Sequence, residues 1–473
     1  MSVASLSLSM AGKDWLEFRR DRRLVLMAVL VTLLALAAVL TSWAKVASHE
    51  ADRIATIAAD RETWEGQGAR NPHSAAHFSF WALRPLAPMA LLDPGVTPHA
   101  GSAVWMEAHN RNPAQARPVE DLATGLDMGS FSAAWVMQTI MPLLIFVIGA
   151  GMVARERERG TLRLMLASGA SPGGLVPAKL GGLARITLLL ALPLLGAAVL
   201  ASTLAGAVQP VALLLWVAVY FLWFALLAAI TIAVSALLRN TAQAQLLLIG
   251  LWLLAALVVP RAGAGLAGAL APVPDPNSFA MEVQGALRER PDPFKGEGAK
   301  AFEAEVMARY KVSRLEDLPI NIDGLRLNAS EDHGDEVFDR VWARLEAQYA
   351  KQHDIMRWTA LISPLVPLQN VSMALAGTDT VHQLDFQTQA EAHRRRVIRL
   401  LNLDMAEHAG TQGFDYKASP DLWKQIPDFA YKPMPPGRVI GGILPDLLVL
   451  AAWAGFAVLL LIAASRRLVR QGV

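Results

Sequence analysis

The sequence predicts an all-α membrane protein: six transmembrane helices, both termini cytoplasmic, and a mainly helical extracytoplasmic domain. Three observations predict it. Of 473 residues, 54% are hydrophobic and only 18% charged, which is too apolar a balance for an ordinary soluble domain of this size. Six segments reach the roughly 20 apolar residues that a helix needs to cross a hydrocarbon core of about 30 Å. Lys and Arg collect in alternate connections, which sets the orientation.

The elements follow in order. Residues 1–23 are basic, with Arg19, Arg20, Arg22 and Arg23 leading into the first span at 24–43. A full-length span with no small-residue cleavage site close behind it predicts a retained anchor in place of a removable signal peptide. Residues 44–130 form a first extracytoplasmic insertion, and 131–153 the second span. The segment 154–182 opens with five consecutive charges, Arg155 to Arg159, and returns the chain to a third span at 183–205. A short turn near Gly206 to Pro210 leads to spans at 211–238 and 244–259. A second insertion, 260–438, precedes the last span at 439–464 and a tail at 465–473. Helix is expected in every span, because lipid offers backbone amides and carbonyls no other partner.

Within the second insertion, stretches such as "DEVFDRVWARLEAQYAKQHDIMRW" carry helical periodicity, and breaks such as "APVPDPN" and "YKPMPPGR" separate them. Residues 355–377 are apolar enough to imitate a seventh span. Pro364 and Pro367 interrupt the ladder, Arg357, Gln369 and Asn370 would need partners in lipid, and an odd count would put "SRRLVR" outside. A helical hairpin packed on the outer domain, or lying on the membrane surface, is the expected form.

Several chemistries are excluded or disfavoured. The chain has no cysteine, so disulfides, thiolate ligands and a thiol nucleophile are absent. A net charge of +2 implies no nucleic-acid partner. Ion-driven transport needs ionisable groups deep in the spans. Here Arg185 and Arg239 sit at inner ends, Arg261 lies past an outer end, and only Asp446 is a carboxylate within a span. The expected role of Asp446 is a paired or hydrated interface residue. "GASPGGLVPAKL" lacks the Lys-Ser/Thr ending of a phosphate-binding loop, so no ATP site is expected in this chain. His73, His77, His99 and His109 all lie in the first insertion. His73 and His77 would share a face if their segment were helical, but "NPHSAAHFSF" does not insist on helix. Hydrogen-bonded histidines are favoured over a metal site, and neither a catalytic residue nor a cofactor is expected.

The stretch "RERERGTLRLMLASGASPGGLVPAKL" resembles the cytoplasmic segment after the second span of type-2 ABC exporter permeases, also called ABC-2 type transporters. The resemblance covers Glu156, Arg157, Glu158, Gly160, Thr161, Leu162, Ser168, Pro172 and Lys179, with Arg155 opening the run. It implies a coupling segment that docks on a separate cytoplasmic ABC ATP-binding subunit, which would carry the ATP and Mg. "KDWLEFRRDRR" is similar to the family's interfacial elbow helix. Stretches including "LEDLPINIDGLRLNASEDHGDEVFD" and "SPLVPLQNVSMALAGTD" resemble a bacterial subgroup of uncharacterised domain type, with large insertions after the first and fifth spans.

The implied function is the membrane-spanning permease of an exporter, a multi-pass protein of the bacterial inner membrane. It would pair with a second permease, identical or related, and a periplasmic protein is a further candidate partner. Two other readings remain open: a polytopic scaffold or sensor whose outer domain binds a partner protein, and a membrane-bound hydrolase using the outer histidines.

Overall fold

The first span, predicted at 24–43, is the middle of a helix of 44 residues, α2 (Arg22–Glu65). At 1.5 Å per residue it runs about 66 Å, twice the thickness of a hydrocarbon core. Its second half therefore extends past the length a hydrocarbon core needs and serves as a wall of the insertion domain. The structure is a computed structural model, and it describes residues 3–117, 131–167 and 171–470.

Before α2 comes α1 (Val3–Arg20), and Asp21 separates the two by accepting from the amides of Arg23 and Leu24. The remaining spans are α4 (Ala133–Glu158), α6 (Pro172–Ala205), α7 (Pro210–Leu237), α8 (Thr241–Leu270) and α15 (Pro436–Arg470). Between them lie α3 (Pro72–Phe78), strands β1 (Phe80–Leu83) and β2 (Ala103–Met106), and α5 (Thr161–Ala167). The second insertion contributes α9 (Pro276–Leu287), α10 (Gly296–Tyr310), α11 (Ile322–Trp358), α12 (Leu365–Ala376), α13 (Thr380–His408) and α14 (Asp421–Gln425).

All six expected spans are present among the described residues, and the chain is 77% helical. The fifth extends well past 259, to Leu270, and its far end packs on α11. In the hydropathic stretch of α4, 78% of residues are buried within the chain, against 17% for α8 and for α15. So α4 is central, and α8 and α15 turn broad apolar faces outward.

Two spans contain a π turn, Val136–Ile140 in α4 and Leu254–Val258 in α8. Each encloses the carbonyl four residues before a proline, Gln138 before Pro142 and Ala256 before Pro260, where an α turn would clash with the ring. Indoles from neighbouring spans reach carbonyls of the first turn: Trp252 donates to Thr139 at 2.9 Å, and Trp223 to Met137 at 3.3 Å. A carbonyl left unpaired in lipid would cost several kcal/mol.

The two insertions share one core. Trp64 of α2, Phe80, Val104 and Met106 of the small sheet, Phe386 and Leu401 of α13, and Trp423 of α14 are buried together. The antiparallel pair β1–β2, with Trp81 opposite Trp105, is the one sheet among the described residues and was not foreseen from periodicity. Each strand is only four residues long, too short for alternation to stand out from the surrounding loops.

Residues 355–377 do not cross as a seventh span, but the expected placement needs correcting. The helix α12 packs between α7 and α15, with Leu365, Leu368 and Val371 buried in the core of the spans. Two of its polar side chains anchor it there. Ser372 accepts from Trp216 at 3.0 Å and donates to Asp93 at 2.5 Å, and Asn370 donates to Asp446 at 2.9 Å. Arg357 adds a 2.7 Å ion pair to Asp446, so this carboxylate is paired, in line with the role expected of it. Burial raises the pKa of Asp93, against hydrogen bonds from Ser372, Gly95 and Gln138.

Helices α11 and α13 run against each other closely enough that Gly324 has no room for a side chain. A Cβ there would lie 2.4 Å from the Ala406 amide nitrogen and 2.6 Å from its Cα. Backbone cannot step aside as a side-chain tip can. We therefore expect Gly324→Ala to separate the two helices and to cost about 1–3 kcal/mol. Earlier proteolytic cleavage of the insertion domain, with membrane insertion intact, is the measurement that checks it.

Candidate coupling site

At the end of the bundle where 154–180 lies, three elements converge: α1, the end of α4 with α5, and the start of α6. Lys179 is only 1% exposed. Its ammonium lies 2.6 Å from Asp14 of α1 and 3.5 Å from Glu156 of α4. Lys13 approaches the same Glu156 oxygen at 2.5 Å, while the Thr161 hydroxyl donates to the other. Two cations thus meet two carboxylates, and Glu17 adds a third at 3.5 Å from Lys13 on the exposed side. Burial raises the pKa of Asp14, and Lys179 opposes that rise.

The neighbouring charges tie this knot to α7 and α8. Arg157 donates to the carbonyls of Leu238 and of Ala236, the latter at 2.8 Å, which satisfies orphan groups at the end of α7. Glu158 accepts from both the amide and the hydroxyl of Thr241 at 2.9 Å, a carboxylate on the positive end of α8. Gly160 makes the reversal between α4 and α5 at φ +74°, a left-handed conformation that side chains resist. Leu162 is buried, and Pro172 takes the first turn of α6, where its missing N–H costs nothing.

The structure therefore gathers Glu156, Thr161 and Lys179 into one contact network, and directs Arg157 and Glu158 to adjacent helix ends. Arg155 is half-buried, its guanidinium folded back over Gly151. Ser168 lies outside the described residues. What remains exposed is the outer face of the turn, Arg159, Arg163 and Leu164, the last 67% exposed. The charged motif builds the platform, and residues beside it form the accessible face. Sequence reasoning missed Asp14 and Lys13 as partners, although "KDW" contains both. No local pattern announces a pairing across 165 residues.

The first insertion contributes a second cluster. Asn71 caps α3 by accepting from the amides of His73 and Ser74, so the seven-residue helix forms and places His73 and His77 on one face. Their Nε2 atoms are 3.3 Å apart. His109, in the left-handed region at φ 67°, brings its ring to 5.2 Å from His73 and 5.3 Å from His77, centroid to centroid. Its amide donates to Glu331 at 2.8 Å, and its Nδ1 lies 2.6 Å from the same oxygen. Burial, then His109 and His77, push the pKa of His73 down to about 4, so this ring is neutral at pH 7. The sequence paired His73 with His77 only on condition of a helix, which α3 supplies, and the fold alone adds His109. His99 stands apart and exposed.

A third feature is a cavity of about 240 Å³ where the insertion domain meets α7, α12, α15 and the connection after α6, lined by Arg84, Met89, Val208, Leu375, Tyr431 and Val439 among others.

Comparison with known families separates these regions. Residues 107–283 match the family described as ABC-2 family transporter protein, and this segment contains α4 to α8 with the whole charged turn. Residues 281–432 match a domain of unknown function, DUF3526, which takes in α10 to α14. No curated protein matches the chain.

Proposed function

Because residues 107–283 match the ABC-2 transporter family and six helices are long and apolar enough to cross a membrane, we propose that this chain is the permease subunit of an exporter driven by ATP hydrolysed on a separate cytoplasmic subunit. Lys and Arg cluster at the end of the bundle that carries the charged turn, and the positive-inside rule makes that end cytoplasmic. The site for ATP and Mg belongs to the partner, and this chain performs no chemistry of its own. A second permease completes the pore, covering part of the apolar faces of α8 and α15, with lipid covering the rest. The insertion domain then lies outside the inner membrane of a bacterium, where it gates or hands over cargo.

One observation carries this reading. The ionic knot of Lys13, Asp14, Glu156 and Lys179 binds α1, α4 and α6 at the base of α5. A push on α5 is therefore transmitted to two spans and the interfacial helix as one body, which is what a mechanical coupling element requires.

The structural role of Glu156 also changes the choice of test. Charge reversal there would break the knot itself, so a docking defect and a folding defect would look alike. The exposed pair Arg163 and Leu164 separates them. Arg163→Glu with Leu164→Asp is expected to abolish co-purification of the ATP-binding subunit and most of the transport-stimulated ATPase activity. The melting temperature of the permease should stay within about 2 °C, as for surface changes away from packed features. Lys300→Glu, on the exposed α10, serves as the control. An unaltered complex would remove α5 as the docking face, and a stoichiometric partner bound only to the insertion domain would favour a scaffold or sensor instead.

A further inference from the structure

We propose that His73, His77 and His109 form a binding site for one late first-row divalent metal ion, held by three imidazoles with a fourth position open to an exchangeable ligand. The ligand nitrogens of the three rings all lie within 4.8 Å of one another. The His73 to His77 separation of 3.3 Å is already the edge of a tetrahedron whose metal–nitrogen distance is 2.0–2.1 Å, about 3.3–3.4 Å. Closing His109 onto the same centre takes a movement of about 1.5 Å, within the reach of a χ adjustment.

The surroundings match what such a site needs. Metal-bound imidazoles usually give their second nitrogen to a carboxylate, which sets tautomer and ring orientation. Glu331 does this for His109 and leaves its Nε2 for the ion. Glu331 is itself held at 3.1 Å by Arg394, so the outer support is fixed in turn. The left-handed backbone at His109 is a conformation that a non-glycine residue keeps only when its surroundings impose it, and here it delivers the ring to the cluster. Nδ1 of His73 is buried without a partner among the described residues, so this ring's orientation is not accounted for by a hydrogen bond from that nitrogen.

The donor set selects the ion. Three neutral imidazoles without thiolates suit Zn²⁺, Cu²⁺, Co²⁺ or Ni²⁺, and exclude Ca²⁺ and Mg²⁺, which demand oxygen ligands. Three protein ligands leave the fourth position free, as in exchangeable sites and unlike closed structural ones. His77 is exposed, so ions can enter from the aqueous side without unfolding the domain.

The assignment does not depend on transport, and its test reads binding alone. The full chain is purified in detergent with a histidine-free tag, stripped with chelator, and titrated with Zn²⁺ against a chromophoric competitor. Co²⁺ is used in parallel for its d–d absorption. One Zn²⁺ per chain is expected, together with the intense Co²⁺ bands of a four-coordinate site. His77→Gln and His109→Gln should each weaken binding about tenfold or more. His99→Gln, in the same insertion, should bind as the unaltered chain does. His77 lies at the surface, so its variant should keep the metal-free melting temperature, which separates lost ligation from lost folding. Failure to bind one ion per chain would overturn the assignment. So would retention of full affinity in the His77 and His109 variants, or an equal loss in the His99 variant.

Discussion

Replacing Lys179 with methionine is expected to destabilise the span bundle by about 3–5 kcal/mol, the usual cost of removing one partner from a buried ion pair. The side chain is 1% exposed and answers two carboxylates. Without it Asp14 has no cation in contact, and Glu156 keeps only Lys13. Methionine preserves the volume, so the loss is electrostatic and not a cavity. The expected signs are a lower melting temperature in detergent and loss of stimulated ATPase activity even where the ATP-binding subunit still co-purifies, because α1 would no longer move with α4 and α6. The double variant Lys179→Met, Asp14→Leu removes the two most buried charges, leaves Glu156 with Lys13, and should recover most of the melting temperature. If the single variant melts as the unaltered chain does, the knot carries no stability and the coupling argument loses its basis.

The second large effect belongs to the insertion domain. Arg394 is 2% exposed and pairs with Glu331 at 3.1 Å, Asp335 at 2.5 Å and Glu391 at 2.8 Å. It joins α13 to α11 and, through Glu331, to the backbone of His109. Arg394→Leu leaves three carboxylates with only Arg395 and His109 to answer them, and should cost about 3–5 kcal/mol.

The pH dependence distinguishes this from simple misfolding. Burial already raises the Asp335 pKa to about 6, against the pull of Arg394 and Arg395. A carboxyl whose folded pKa exceeds its unfolded value contributes stability at low pH that is lost as pH rises through the folded pKa. Removing Arg394 lifts that folded pKa further. The deficit of the variant should therefore shrink as pH falls from 7 to 5, because protonation relieves the unpaired charges. His73 and His393 oppose stability in the same range, both depressed to about 4 chiefly by burial. They are present in both proteins, so comparing unfolding curves pH by pH removes them to first order. A deficit that stays constant or grows toward pH 5 would contradict the electrostatic account.

These two sites show where reading from sequence stops. Glu156 and Lys179 stood out from the charged run and its resemblance, yet their contact with each other and with Asp14 did not. Arg394 sits among three consecutive arginines with nothing local to mark it as buried, and α11 supplies Glu331 and Asp335 opposite it. His73 and His77 had the spacing of a helical pair without a sequence that insists on helix, and His109 arrives from the far side of a β-hairpin. The stretch 355–377 was rightly kept out of the span count by its prolines and polar residues. Its seat between α7 and α15 depends on Trp216, Asp93 and Asp446, all distant in the chain.

The sequence by itself determined six spans and a basic end, because crossing lipid demands about 20 apolar residues and leaves helix as the open-chain option. Hydropathy and juxtamembrane charge are local quantities that can be read residue by residue. Tertiary structure alone decided which charges neutralise each other and which histidines meet, since a Coulomb contact depends on distance in space and not along the chain. Asp14 and Lys179 are 165 residues apart, and His109 and Glu331 are 222. Only the packing of helices that share no local sequence signal brings either pair within hydrogen-bond reach.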